Sequence, residues 1–260
     1  MPAALLSTRH GGTMVLTLSH PERHNALGPE LCAAAVEALN VAESSAEVAS
    51  VVITGAGALF SIGLDLEQLQ SSRRAPAGEQ LSLTEGLHSC IECVRSFPKP
   101  VIAAVEGAAS DAGFALALVC DFIVAARSAQ FAMACGTLGL SPDGGASWSL
   151  VRALPRQFAS ELLMLGQPAS AERLHQLGIV NRISHPGGAL HDALALAEQL
   201  HASAPHALAS IKDLLADAGD ATLPAQLARE RDQRVKNLHH ASTGAAIAAF
   251  LARRGSTPRA

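Results

Sequence analysis

The 260-residue sequence holds no tyrosine and one tryptophan, and aromatics make up 3% of it. Stacking platforms for single-stranded nucleic acid need exposed aromatic rings, so a nucleic-acid partner is not expected. Long apolar runs are missing too. No stretch reaches the roughly 18 residues that suggest a membrane span, and the longest candidate, 114–120, falls far short. Residues 1–10 carry no apolar core of about 7–15 residues such as a signal peptide needs, so a cytoplasmic location without membrane attachment is expected. Neither GxGxxG nor GxxxxGK[ST] occurs, which removes the usual dinucleotide and nucleoside-triphosphate loops. There is no HExxH among the eleven histidines, and His239–His240 point to different sides of a helix, so no metal site is expected. GxSxG is absent as well, which excludes the simplest serine hydrolase.

What is present is a globular composition. Apolar residues make up 49%, enough for a sizeable core, and the net charge is −4. Residues 229–260 carry a net +5, which leaves 1–228 at −9. A basic end of this kind is either a solvated helical face or a neighbour for phosphate groups. The five cysteines (32, 90, 93, 120, 135) are an odd number and read as reduced, mostly buried thiols. Cys90 and Cys93 form a lone CxxC inside a helical pattern. Leu87, Cys90, Ile91 and Val94 follow the spacing of one buried face, so core packing is the expected role.

Periodicity and turn residues predict strands at 4–8 and 14–18 around a Gly11–Gly12 turn. A helix opens at Pro29, a favourable first-turn position. Buried strands are predicted at 51–55, 101–105, 122–125 and 130–133, with a small-residue loop at 56–65 and an exposed, mobile loop at 71–80. Helices are predicted at 82–97 and from Ala112 towards Cys120. From 147 onward the pattern is helical (147–165, 170–177, 188–203, 206–217, 223–240, 243–254), interrupted by one strand at 179–183. This order indicates an α/β core followed by an α-helical C-terminal part.

Three segments can carry chemistry. The first runs from Phe60 through Ser61, Ile62, Gly63, Leu64 and Asp65 to Leu66, a loop that turns into a helix. The second, Gly107 to Phe114, is a small-residue turn before a helix, where backbone can approach a ligand closely. Helix N-termini present unpaired N–H groups, and one N–H from each turn would make an oxyanion hole. Structural joints are the plainer reading of both turns. The third segment, Gly139 to Trp148, contains Ser141, Pro142, Asp143, Gly144 and Gly145. On local grounds Asp143 is a turn former or helix N-cap.

Taken in order, these landmarks resemble the crotonase, or enoyl-CoA hydratase/isomerase, family from about residue 10 to residue 252. They are His20–Pro21 with Asn25, Ala26 and Leu27; Phe60–Ser61 with Gly63, Asp65 and Leu66; Val105 and Gly107 through Leu116, Ala117, Leu118, Cys120 and Asp121; and Phe131 followed by Gly139 to Pro142. The resemblance implies an α/β crotonase-type spiral of ββα units over 1–200. It also implies a helical C-terminal region, 201–260, that builds homotrimers or hexamers. The implied ligand is an acyl-coenzyme A thioester, with coenzyme A part of the substrate and no separate cofactor. The oxyanion donors would be the N–H groups of Ile62 and Ala112, beside Ser61, Gly63 and Gly113. The adenine and ribose end would lie near His24, Asn25, Ala26, Leu27, Leu64 and Asp65, with the basic C-terminal stretch near the phosphates.

Departures from the family pattern bear on the reaction. The two glutamates of hydratases fall, by resemblance, on Ala115 and Cys135, neither a carboxylate. Asp143 is similar to the acid of a single-carboxylate subgroup, which includes 3-enoyl-CoA to 2-enoyl-CoA isomerases and ring-epoxide isomerases. Asp111 stands where the family usually has Gly; turned inward it would repel an enolate, so it is expected to point away or to cap the following helix. An isomerase with Asp143 as its one side-chain acid/base is therefore expected, and Phe114, Leu138, Leu140 and Trp148 either line its pocket or pack in the core. An apolar pocket there would favour a raised aspartate pKa. The alternatives are a hydratase without the glutamate pair, a dehalogenase-type nucleophilic aspartate, and a CoA- or RNA-binding scaffold without turnover.

Overall fold

The computed structural model describes residues 3–63 and 65–255. Contacts divide the chain into two compact units, residues 1–200 and 201–260.

The first unit opens with β1 (Ala4–His10) and β2 (Thr13–Ser19), an antiparallel hairpin turning at Gly11, whose φ is +58°. α1 (Pro29–Ser44) leads to β3 (Ser50–Gly55). α2 (Leu66–Ser72) and α3 (Ala77–Ser96) come next, then β4 (Val101–Val105) and β5 (Ala108–Ser110). α4 (Ala112–Val119), β6 (Phe122–Ala126) and β7 (Gln130–Ala132) complete the central stretch. After them come α5 (Ala146–Ala153), α6 (Arg156–Leu165), β8 (Ala169–Ser170), α7 (Ala171–Gln176), β9 (Arg182–Ser184) and α8 (Ala189–His201).

Six strands form the main sheet in the order β1-β2-β3-β4-β6-β9, parallel from β2 onward. A second sheet, β5-β7-β8, is tied to the loop after β3 by a bridge between Ser61 and Ala109. This is the ββα spiral that the resemblance implies. The central strands read as continuous apolar runs because both faces of the main sheet are covered. Side chains alternate across a strand. Leu16, Ile53, Val101, Ala103 and Ile123 enter the larger core with Leu31, Leu39, Leu87 and Val94 of α1 and α3. Val15, Val52, Ile102 and Val124 face the other way, against Ala189, Ala193 and Ala197 of α8.

Four expectations need correction. The predicted loop at 71–80 is mostly helix: α2 ends at Ser72, and α3 begins at Ala77 after Pro76. Its residues are largely polar and exposed, so no apolar period marks the helical turns. The predicted helix at 147–165 is two helices, because Pro155 cannot continue α5 and instead stands at the N-cap of α6. The last strand begins later than expected, at Arg182. Asn181 precedes it with its N–H on Ile123 O (2.8 Å), and its side-chain Oδ1 accepts from Ile123 N (2.8 Å). β5 is a strand where only a small-residue turn was expected.

The second unit comprises α9 (Pro205–Ala218), α10 (Leu223–Leu238) and α11 (Ala241–Gly255). Ser210, buried on α9, hydrogen-bonds Gln233 (3.2 Å) and Asn237 (3.3 Å) of α10. Leu215, Leu223, Leu227 and Leu251 are exposed. Among the described residues no helix is long and apolar enough to cross a membrane.

Candidate active site

The loop after β3 and the turn before α4 are pressed together backbone to backbone. A Cβ on Gly63 would lie 2.5 Å from Ala112 N and 2.7 Å from Ser110 O, and one on Gly113 would lie 2.4 Å from Ser61 O. Only glycine permits this approach at either position. It brings Ile62 and Ala112 onto the wall of one cavity of about 250 Å³, together with Leu66, Leu138, Leu140 and Asp143. Ala112 is the first residue of α4, so its amide has no carbonyl in a preceding helical turn. The Ile62 amide is occupied: it donates to His24 O at 3.1 Å.

His24 and Asn25 both adopt left-handed backbone (φ 53° and 54°), which bends residues 20–27 against the 61–63 loop. Asn25 is fully buried, and its side chain serves the scaffold. Its Oδ1 accepts from His20 N (2.9 Å), and its Nδ2 donates to Ala56 O (2.9 Å) and Leu59 O (3.0 Å). Ser61 is equally buried: its Oγ donates to Asn25 O (2.7 Å) and accepts from Gly63 N (3.0 Å). The side chains of Asn25 and Ser61 therefore hold the two loops together. Ala26 and Leu27 are buried, and His24 is exposed.

Asp65 lies on the edge of a second, open basin with His20, Arg23 and Glu30. It N-caps α2, accepting from Glu67 N (3.0 Å) and Gln68 N (3.1 Å), and it pairs with Arg23. Partial burial pushes its carboxyl up, but the Arg23 guanidinium and the two amides outweigh this and hold it below the usual range. Leu64 lies outside the described residues.

Of the expected walls, Leu138 and Leu140 line the cavity. Phe114 and Trp148 do not. Phe114 is fully buried against Phe131, with ring centroids 5.1 Å apart. Trp148 packs with the Arg95 and Arg152 guanidinium groups, 4.6 and 4.0 Å from its ring centroid, and does not line the cavity. The aromatic face is a strong site for a cation, and on the exposed side of α5 it meets two.

The acids divide sharply. Ala115 is fully buried, and a Cβ on Gly144 would come within 2.9 Å of the Ala115 Cβ, so Gly144 lies directly over this side chain. Cys135 reaches the cavity wall as a thiol pushed above its ordinary value by burial and by the Asp111 charge. Asp143 lines the same cavity at its rim, its side chain 26% exposed. Its Oδ1 accepts from Gly144 N (2.7 Å) and lies 2.6 Å from His88 Nε2. His88 carries no sequence signal of this role, because it lies 55 residues from its partner.

Asp111 does not cap α4. Its side chain makes no cap bond there, and its Oδ1 instead accepts from Cys135 N (3.1 Å). Its backbone (φ 46°, ψ −119°) lies outside the ordinary left-handed well, in a region costing a non-glycine residue about 1–3 kcal/mol. Burial raises its carboxyl pKa, and hydrogen bonds from Cys135 and Ala134 offset this only in part. A raised folded-state pKa means that the folded state holds the proton more tightly. Stability is therefore lost as pH rises from the ordinary value of 3.8 through the raised one. Asp111→Asn keeps an acceptor for the Cys135 amide and removes the charge. Its stability relative to wild type is expected to increase from pH 4 to pH 7, as read by urea unfolding at the two pH values.

Fold and cavity together define an α/β protein of the crotonase type, with backbone amides and the carboxyl groups of Asp111 and Asp143 on a shared wall. The chain belongs to the enoyl-CoA hydratase/isomerase family, whose model matches residues 8–257. It is 36% identical over 251 residues, 96% of each chain, to 1,2-epoxyphenylacetyl-CoA isomerase of Escherichia coli. It is 32% identical to 2,3-dehydroadipyl-CoA hydratase of the same organism, over 87% of each chain. Among solved structures, an enoyl-CoA hydratase from Polaromonas sp. JS666 is 58% identical, with a TM-score of 0.95 over 96% of this chain and 97% of that one.

Proposed function

We propose that this chain is an acyl-CoA isomerase. It would move a double bond from the 3- to the 2-position, or carry out a related ring-epoxide isomerisation, with Asp143 as acid/base. One observation carries the reading: Asp143 shares a cavity wall with Ile62 and Ala112, while the buried Ala115 beneath Gly144 supplies no acid. The thioester oxygen would accept from the amides of Ile62 and Ala112. An enolate is a stronger acceptor than the neutral His24 carbonyl that the Ile62 amide now bonds, so the exchange favours the reacting state. Asp143 takes a proton from one carbon and returns it two atoms along the conjugated chain. Leu66, Leu138 and Leu140 offer the acyl group an apolar lining. The similarity to an epoxide isomerase supports the same reading.

On this reading coenzyme A enters as part of the substrate, and neither a separate cofactor nor a metal is required. The five cysteines are free thiols, which suits a reducing, cytoplasmic setting. The exposed leucines of α9, α10 and α11 suit burial between copies of the chain, as a homotrimer or hexamer would provide.

A second reading, water addition, is favoured by Asp111, a second carboxyl on the same wall with a raised pKa. The similarity to a hydratase points the same way. One assay separates the two. An isomerase converts 3-enoyl-CoA to the absorbing 2-enoyl-CoA and leaves 2-enoyl-CoA unconsumed in water. Steady loss of 2-enoyl-CoA absorbance with formation of the 3-hydroxy product would overturn the isomerase reading.

A further inference from the structure

We infer that His88 is a positioning residue for Asp143, clamping one carboxylate oxygen so that the other is free to exchange a proton with the acyl group. The inference rests on the acid/base role proposed for Asp143. Residues 139–145 form no regular helix or strand, and Gly144 and Gly145 both have positive φ (60° and 73°). Backbone hydrogen bonding of a regular element therefore does not fix Asp143. A side chain from another element does: His88 stands on α3, which among the described residues contributes none to the cavity lining, and its Nε2 lies 2.6 Å from Asp143 Oδ1.

The Gly144 amide donates to the same oxygen at 2.7 Å. Among the described residues these are the two hydrogen bonds to this carboxylate, and both fall on Oδ1. A carboxylate acting as a base only accepts, so the proton shared with His88 belongs to Nε2. The terminal torsion of an aspartate is intrinsically broad. Two donors on one oxygen fix it and leave Oδ2 as the proton-exchanging atom. The His88 side chain is half exposed, whereas Leu87, Cys90, Ile91 and Val94 supply the core face of α3. The contact with Asp143, rather than core packing, thus accounts for the ring's position.

The test is a double-mutant cycle with His88→Ala, His88→Gln, Asp143→Asn and the Ala/Asn double variant. It is read as kcat and KM on whichever thioester conversion Asp143→Asn impairs, isomerisation or water addition. Failure of the isomerase reading alone therefore leaves the cycle readable. A hydrogen bond to a charged group is worth about a tenfold effect or more. His88→Ala is expected to lower kcat about tenfold or more with KM within about twofold of wild type. His88→Gln, which keeps an N–H donor, should recover most of that loss. In the Asp143→Asn background His88→Ala should change nothing further. Full turnover in His88→Ala would overturn the inference, as would an equal loss with and without Asp143. If His88→Ala does not fold, a His88→Gln variant with wild-type kcat supports the inference, and one as impaired as Asp143→Asn overturns it. Unimpaired Asp143→Asn on both conversions overturns the acid/base role and the inference with it.

Discussion

Asp143→Asn is expected to reduce turnover by about 10²–10⁴-fold, the usual contribution of a positioned acid/base group, while the protein folds as before. The amide is nearly isosteric and keeps an acceptor for the Gly144 N–H, so the local turn survives. Asp143 also sits at the cavity rim, 26% exposed, where losing its charge strands no buried partner. What the variant loses is the capacity to take up and return a proton. Neither candidate for a substitute is equivalent. The Cys135 thiol is held in its neutral form by burial and by Asp111, and the Asp111 carboxyl is bound to the Cys135 amide. Steady-state kinetics on 3-enoyl-CoA, with circular dichroism to verify the fold, checks the expectation. Wild-type turnover in the variant would remove Asp143 from the mechanism.

The second large effect is expected at Gly113. A methyl group there would stand 2.4 Å from Ser61 O and 2.8 Å from Ser61 Cβ. The first of these is a backbone atom, held by its acceptance of Ser110 N at 2.9 Å, so the neighbour cannot swing aside. Overpacking of this sort costs about 1–3 kcal/mol, and occasionally more. The strain falls on the joint between the loop carrying the Ile62 amide and the helix carrying the Ala112 amide. Gly113→Ala should therefore separate the two donors as well as lower the melting temperature. Losing one oxyanion donor typically costs about 10²–10³ in kcat, and a comparable fall is expected here. The variant should still turn over less than wild type at temperatures where it remains folded. Wild-type kcat in folded Gly113→Ala would show that the approach of the two turns is not what aligns the amides.

Much of this molecule is legible without coordinates. The buried strands 51–55 and 101–105 are short apolar runs bounded by Gly and Pro, a local signal with a local cause. Pro29 marks the first residue of α1 within the chain's own chemistry. The small residues around Gly63 and Gly113 suggest close backbone approach, and the cavity is built on that approach. Where local and global demands diverge, sequence reading loses its hold. Asn25, expected near the adenine and ribose end, is fully buried, and its side chain makes three hydrogen bonds to backbone groups at residues 20, 56 and 59. Trp148 sits in the first turn of a helix beside the Asp143 loop, but α5 turns its ring toward Arg95 and Arg152.

The amino-acid order alone determined the buried central strands, the helical C-terminal stretch and the absence of a carboxylate at positions 115 and 135. These follow from side-chain chemistry and short-range periodicity, which a linear chain carries in full. Only the tertiary structure decided that His88 meets Asp143, that Asp111 turns to the Cys135 amide instead of capping α4, and that the Ile62 amide is engaged by His24. Each of these is a hydrogen bond of about 3 Å between groups distant in the chain. Such a distance is set by how helices and loops pack around the sheet, and no residue's own propensity encodes it.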